Sequence, residues 1–384
     1  MKIKSYVNPN ALEDVVRINY IYSFRKDELP KIQLILKLLL EGTITQKNKT
    51  SLKRKLMKNY DANIDITGIV ISNVSTITFE ISGIDSKMLP GNEKIIKNLT
   101  NILLDCINNA NILVRNIDAN KLKEAKKNIL SNREANKNSI YNVIEEVKDL
   151  NENYEKVLKE TTLDDLRDLY IKILTTGKRY IQVQAASEEE CNVIQDIIIN
   201  NLCFSKEEDI EFKFKNLEKL KMVTRESHLD STRLDFVLQR NTQKMNAKEL
   251  ALMMLIATIY NDLMFNIVRE KYNLSYNPGA VANITENSII LSANIAKENK
   301  NFTINLINSI VKAVKELDID PKSLEKYISI LDEAMEEDLD SDVYNETLNI
   351  DYLTKEEIEN INYKDLKEHA KNYDIKLVYY LGGK

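Results

Sequence analysis

The chain has 384 residues, 43% of them hydrophobic and 29% charged, with only 8 Gly and 5 Pro. At about 150 residues per domain this predicts two or three folded domains and excludes a collagen-like, linker-rich or disordered chain. Its 54 basic and 59 acidic residues leave a net charge of -5, which gives no global field for a polyanion, so no nucleic-acid partner is expected.

Residues 15–23 alternate β-branched and aromatic side chains and read as a strand. A helix should follow, with Asp27 as N-cap, Pro30 early, Leu34, Ile35, Leu38 and Leu39 along one face, and Gly42 as a left-handed C-terminal cap. A second helix is expected over 51–60, then strands over 64–71 and 75–81 joined by a turn at Ser72 and Asn73, then helices over 92–109, 120–150 and 164–174 and a strand over 179–185. The stretch 205–221 is dense in Lys and Glu and is placed as a connection, giving domains of 1–205 and 221–384 with a linker over 206–220. Beyond it the order starts again. A strand over 233–240 precedes helices over 247–257 and 261–272 and a strand pair over 279–284 and 288–296, and helices over 302–317, 322–337 and 364–371 lead to a last strand over 375–381. The repeat lies in the order of elements rather than in residue identity, and it predicts two related α+β domains, each a mainly antiparallel sheet with helices on one face.

The N-terminal residues are interrupted by Lys4, Asn8, Asn10, Glu13 and Asp14 and so lack the apolar core of a signal peptide. No run approaches the ~18 apolar residues of a membrane span, the greasiest stretch, 32–40, being broken by Lys37, so no membrane partner is expected. Cys106, Cys191 and Cys203 contain no Cys-x-x-Cys pair, which suits a reducing cytoplasm rather than a disulfide framework. The only histidines, His228 and His369, are far apart in the chain and cannot form a two-histidine zinc helix. His228, Asp230 and Ser231 bring triad residue types together in sequence without a Gly-x-Ser-x-Gly elbow. Residues 42–51 depart from a phosphate loop, since Lys47 stands where a Gly belongs. The basic run Lys47, Lys49, Lys53, Arg54, Lys55 and Lys58 shares its segment with a helical apolar stripe and reads as a solvated helix face, and the acidic run from Asp332 to Asp342 reads as a solvated helix end.

From Phe265 to Tyr276 the chain reads Phe-Asn-Ile-Val-Arg-Glu-Lys-Tyr-Asn-Leu-Ser-Tyr. Asn273 tolerates a left-handed cap and Pro278 cannot continue a helix, so Arg269 falls in the last helical turn and Tyr276 opens an extended segment. A guanidinium fork and a phenol aimed at one place can hold a peptide carbonyl or an oxyanion. The same residues also have a purely local reading, since an Arg favours the helix dipole and a Tyr commonly opens a strand.

This segment resembles the C-terminal signature of the pitrilysin/insulinase family of zinc peptidases, notably members similar to mitochondrial processing peptidase, which carry Arg-Glu-Lys, two residues, Leu, one residue and Tyr after a helix with suitably placed Leu and Phe, here Leu263 and Phe265. Length and duplicated order are similar over essentially the whole chain. Hydrolytic members carry His-x-x-Glu-His a few residues before a Gly-Thr pair, and Gly42-Thr43 is present. Family spacing then puts Gln33 and Lys37 at the two ligand positions and Leu36 at the base, none of which can do the original work. The family's third ligand would fall near Glu124 or Glu134. The resemblance implies a metal-free, non-catalytic subunit of a heterodimeric peptidase that processes short or unfolded peptides. A homologous subunit bearing His-x-x-Glu-His would hold the zinc, and Arg269 and Tyr276 would bind substrate in that partner's active site. The alternative implied by the same family is an inert scaffold or peptide-binding protein. The Gly-rich stretch that precedes the family's helix is replaced here by residues 257–262.

Overall fold

The computed structural model describes residues 1–149, 153–202, 206–227, 232–242, 244–316, 323–334 and 338–382. In chain order its elements are β1 Lys2–Val7, β2 Glu13–Ser23, α1 Leu29–Leu38, α2 Lys49–Met57, β3 Asn63–Ile71, β4 Val74–Ile84, α3 Ile96–Asn108, α4 Ala119–Ala135, α5 Ile140–Val147, α6 Tyr154–Glu160, α7 Leu163–Thr176, β5 Lys178–Ala185 and α8 Glu188–Asn201. They continue with β6 Lys221–Glu226, β7 Thr232–Arg240, α9 Ala247–Leu263, a π-helical turn Met264–Lys271, β8 Gly279–Asn283, β9 Ser288–Ile295, α10 Lys300–Glu316, α11 Ser323–Ala334, α12 Leu339–Leu348, α13 Lys355–Glu359, α14 Tyr363–Lys371 and β10 Tyr373–Gly382. Two units result, one of Met1–Glu134 with Asn153–Glu211, the other of Ala135–Glu152 with Phe212–Lys384.

Each unit is built on a five-stranded sheet, ordered β1-β5-β2-β4-β3 in the first and β6-β10-β7-β9-β8 in the second. The pairing sense repeats too. β1 runs parallel to β5 and β6 to β10, while every other neighbouring pair is antiparallel. The duplication read from element order is therefore a duplication of topology. Strand alternation decides what each face carries. On β2, Val16, Ile18, Tyr20 and Tyr22 join the core beneath the helices, whereas Arg17 and Asn19 point the other way. Asn19 is fully buried and satisfied there, its Nδ2 donating to Tyr180 O at 2.9 Å and Gln182 Oε1 at 3.1 Å while its Oδ1 accepts from Thr78 Oγ1 at 2.7 Å. A buried amide with all its partners fixes strand register, because a one-residue slip would strand it.

Several expectations need correction. The helix expected over 120–150 is divided, since α4 stops at Ala135 and Ser139 caps a new helix by accepting from Asn142 N at 3.3 Å. That second piece, α5, belongs to the second unit, where Ile140, Val143 and Ile144 pack with Val237, Ile290 and Leu377. These three strand residues are register partners and share one face, so α5 covers the face opposite the one to which Phe236 and Leu238 point. Residues 135–149 thus fold outside the domain assigned to 1–205, and the units divide at Glu211 and Phe212 within the expected linker. Helices α6, α8, α12 and α13 and the parallel strands β1 and β6 carry no counterpart in the sequence reading. Asp27 lies in a 3-10 turn, and Glu28 is the residue that precedes α1. Cys203, His228, Asp230, Ser231, Glu336 and Glu337 lie outside the described residues.

Gly42 also differs from expectation. Its φ of 138° and ψ of 177° are not a left-handed cap but a region open almost only to glycine. A Cβ there would stand 2.6 Å from Gln46 O and 2.8 Å from Asn111 Nδ2. The following loop is tied down by Thr43, whose Oγ1 donates to Asp105 Oδ2 at 2.6 Å and accepts from Gln46 N at 2.9 Å. Gly42-Thr43 is therefore a backbone device that closes the end of α1 onto α3. Gly42→Ala should destabilise the first unit by about 1–3 kcal/mol, read as a lower urea midpoint, with an unchanged midpoint showing that the loop yields.

In the second unit His369 is buried against Arg240, with Nδ1 3.1 Å from Arg240 Nη1, and Arg240 Nη2 lies 2.7 Å from Glu249 Oε1. Burial, and then the Arg240 charge, push the imidazole down to about 4, against a smaller opposing pull from Glu249. In the unfolded chain the same ring takes up its proton near pH 6.5. Between pH 6.5 and 4 the unfolded state therefore binds the extra proton, and stability falls as the pH falls, by about 3 kcal/mol at most. His369→Gln should flatten that part of the stability-pH curve relative to the parent chain in denaturant titrations. Parallel curves would refute a neutral buried imidazole.

Candidate functional site

The second unit's longest helix decides where Arg269 and Tyr276 stand. Asn246 and Glu249 form a reciprocal cap at its start, with Asn246 Oδ1 accepting from Glu249 N at 2.9 Å and Glu249 Oε2 accepting from Asn246 N at 3.0 Å. From Leu250 to Tyr260 nearly every side chain is buried, as a helix apolar on all sides requires. Where two helices were expected, α9 runs unbroken into the π-helical turn. Ala247–Lys271 is also the one helix among the described residues long and apolar enough to cross a membrane. It, and not 32–40, is the greasiest stretch, and much of it lies in the unit's own core.

At its end the hydrogen bonding widens from i→i+4 to i→i+5, with Tyr272 N donating to Ile267 O at 3.1 Å. Met264 and Val268 stay fully buried and anchor the widened turn. Such a turn brings side chains four apart almost over one another, and the Arg269 guanidinium carbon lies 4.8 Å from the centroid of the Phe265 ring. Asn273 then takes the left-handed conformation expected of it, φ 47°, while Asn273 N and Leu274 N close back on Arg269 O and Val268 O at 2.8 and 2.9 Å. That reversal carries Tyr276 back across the helix end, with its ring 4.8 Å from the same guanidinium. Arg269 thus sits between two aromatic faces.

This arrangement leaves the polar edges open. The nearest carboxylate to Arg269 is its neighbour Glu270, 3.4 Å from Nε, and among the described residues neither the guanidinium nor the Tyr276 hydroxyl has a hydrogen-bond partner. Tyr276 is 78% exposed. Phe265, Tyr272 and Phe302 are exposed beside it, Tyr272 and Phe302 meeting edge to face at 5.4 Å. Tyr272 and Phe302 did not emerge from the sequence as site residues. Their only signal is an aromatic in a polar stretch at the end of one helix and the start of another. Edge strand β8 begins three residues after Tyr276 and pairs with β9 alone, and its Ala280 N donates to Asn261 Oδ1 of α9 at 3.1 Å.

In the first unit, Gln33, Leu36 and Lys37 occupy successive turns of α1. Gln33 Oε1 accepts a short hydrogen bond from the Tyr154 hydroxyl, and the Tyr154 ring is covered by the Arg133 guanidinium at 3.9 Å. Leu36 lies on the sheet over Gly68, where a Cβ would come within 2.6 Å of its Cδ1. Lys37 is exposed. An amide already engaged by a phenol, an alkyl group and a cation do not fit a zinc ion. Of the two carboxylates considered as a third ligand, Glu124 has Lys121 3.8 Å away. Among the described residues no three His, Cys, Asp or Glu side chains gather at a candidate metal position.

No family model matches this chain, and no curated protein does. Solved structures do. A conserved protein from Enterococcus faecalis V583 superposes with a TM-score of 0.80 at 16% identity, covering 100% of this chain and 96% of that one. A peptidase M16 inactive domain from Pseudomonas fluorescens gives 0.75 at 11% identity, covering 100% and 95%. Pitrilysin gives 0.68 at 14% identity, with this chain spanning only 44% of its length. At these identities the likeness is one of fold. The chain has the duplicated α+β fold of the M16, pitrilysin-like peptidases and lacks the His-x-x-Glu-His motif of their catalytic members.

Proposed function

We propose that this chain is the metal-free, substrate-binding subunit of a heterodimeric zinc metallopeptidase acting on short or unfolded peptides, and that it works in the cytoplasm. The observation that supports this is the Arg269 fork, stacked on Phe265 and Tyr276, with Glu270 3.4 Å from Nε and, among the described residues, no hydrogen-bond partner on the guanidinium. A guanidinium held by two rings, with its sequence neighbour Glu270 at Nε, keeps its Nη N–H groups for a ligand. Arg269 holds a substrate carbonyl or carboxylate. Tyr276 donates its phenolic proton to the scissile carbonyl oxygen, and gains most when that oxygen becomes an oxyanion. The zinc belongs to a homologous partner carrying His-x-x-Glu-His, because Gln33, Leu36 and Lys37 cannot hold it.

The first test is purification of the native complex and identification of a stoichiometric companion bearing that motif. In such a complex Tyr276→Phe keeps the ring under Arg269 and removes only the donor, and should lower kcat about 100-fold without altering assembly by size-exclusion chromatography. Arg269→Ala should chiefly raise KM. Turnover indifferent to both changes would favour an inert scaffold or peptide holder, and zinc-dependent hydrolysis by this chain alone, untouched by Arg269→Ala, would reject the proposal.

A further inference from the structure

Where the start of β2 pairs with the end of β4 in the first unit, two carboxyls are buried together. Asp14 lies opposite Gly83 in the register, and Asp85 follows two residues later, its N donating to Leu12 O at 3.0 Å. Asp14 is 3% exposed and Asp85 0%, and their side chains are within hydrogen-bond reach of each other. Among the described residues neither is in an ion pair. Asp85 Oδ1 accepts from Lys87 N at 2.8 Å and caps the turn Ser86–Met88, but Asp85 Oδ2 and Asp14 Oδ1 are both buried without a donor among the described residues. The charged groups that face Asp14 are Asp85, Glu190 and Lys87. Glu190, in the first turn of α8, adds negative charge and is itself met by Lys94, which precedes α3, at 3.2 Å. Lys87 gives its ammonium to Pro9 O at 2.5 Å. Cys191, next to Glu190 on α8, is a thiol that burial pushes further from ionising.

Ionised carboxylates only accept, so two of them in contact leave both orphan oxygens unsatisfied and repel each other as well. One proton between them removes both faults, because the protonated oxygen donates and the other accepts. We propose that Asp14 and Asp85 share a proton and form a pH-sensitive latch that ties the start of β2, with the loop before it, to the turn Ser86–Met88. Burial, and then the charges of Asp85 and Glu190, push the Asp14 carboxyl up to about 7, against a smaller pull from Lys87. In the unfolded chain an aspartate loses its proton near 3.9. Between about pH 4 and 7 the folded state therefore holds the extra proton. The stability this contributes is complete below about pH 4 and is lost as the pH rises through about 7, the opposite sense to His369. Above neutrality two charges remain in one buried place, and the latch opens locally. The inference makes no use of the roles given to Arg269 and Tyr276.

The test follows the aspartate carboxyl carbons of the full chain by carbon-13 NMR across about pH 4 to 9, with Asp14→Asn identifying the resonance of Asp14. That resonance should titrate near neutrality instead of near 4. In Asp14→Asn the amide donates where the proton did, so the latch should stay closed at every pH. The urea midpoint of the parent should therefore fall relative to that of the variant as the pH rises through neutrality, a comparison in which the His369 contribution cancels. Amide exchange over residues 84–88, corrected for its intrinsic pH dependence, should quicken above neutrality in the parent and not in the variant. Asp85→Asn, which keeps the acceptor for Lys87 N, should behave in the same way and serves if Asp14→Asn does not fold. An Asp14 resonance that titrates near 4, or parent and variant midpoints that run parallel with pH, would overturn the proposal.

Discussion

A helix without a polar side has to be covered all round, and in the second unit that requirement fixes everything near the candidate site. From Leu250 to Tyr260, α9 turns apolar side chains outward in every direction, so sheet, α10, α11 and α14 must all pack on it. Each fully buried Leu or Ile contributes about 1.5–3 kcal/mol relative to exposure, and sliding the helix by a turn would expose several at once. The helix end is therefore held by this packing as well as by the bonds from Asn273 N and Leu274 N to Arg269 O and Val268 O. The extra residue taken up by the π-helical turn is then spent outward, in aiming Arg269, while Met264 and Val268 keep the core intact.

The first unit shows a complementary logic at Gln33, Leu36 and Lys37, the positions that the family spacing assigns to a zinc motif. A metal site needs deprotonated donors converging on a common point, and removing them leaves polar space that must be refilled. Here Gln33 is engaged by Tyr154, Leu36 lies against the glycine of the adjoining strand, and Lys37 faces solvent. Each replacement suits its own surroundings, so the helix retains its place in the fold without the ion. The neighbouring Gly42-Thr43 pair has a structural task of its own, because that backbone conformation and the Thr43–Asp105 bond close the loop.

Much of this was legible in the sequence for identifiable reasons. The central strands of both sheets announce themselves because one or both faces are apolar, and Asn273 announces the helix end because few residues accept its conformation. Strands β1 and β6 were illegible because they are edges, with lysines and other polar residues alternating along half-exposed segments. The break between α4 and α5 contains neither Gly nor Pro, and only Ser139 ahead of an apolar run marks it. The π-helical turn leaves no mark in composition at all, since it differs from an α-helix only in which carbonyl each amide meets. Arg269 and Tyr276 could be picked out as a pair, but the stacking that joins them follows from that hidden turn.

The strand order has a further consequence, for the way the chain is made. In each sheet the strand latest in sequence lies not at an edge but inside, β5 between β1 and β2 and β10 between β6 and β7. During synthesis the earlier strands must wait with unpaired backbone until that strand arrives, more than 130 residues after β7 in the second unit. Such late, non-local closure is slow and leaves strand edges open to other chains meanwhile. Because α5 is emitted well before the sheet it covers, its apolar face must also remain uncovered through the completion of the first unit. Newly made chain should therefore depend on chaperone protection more than its final stability would suggest.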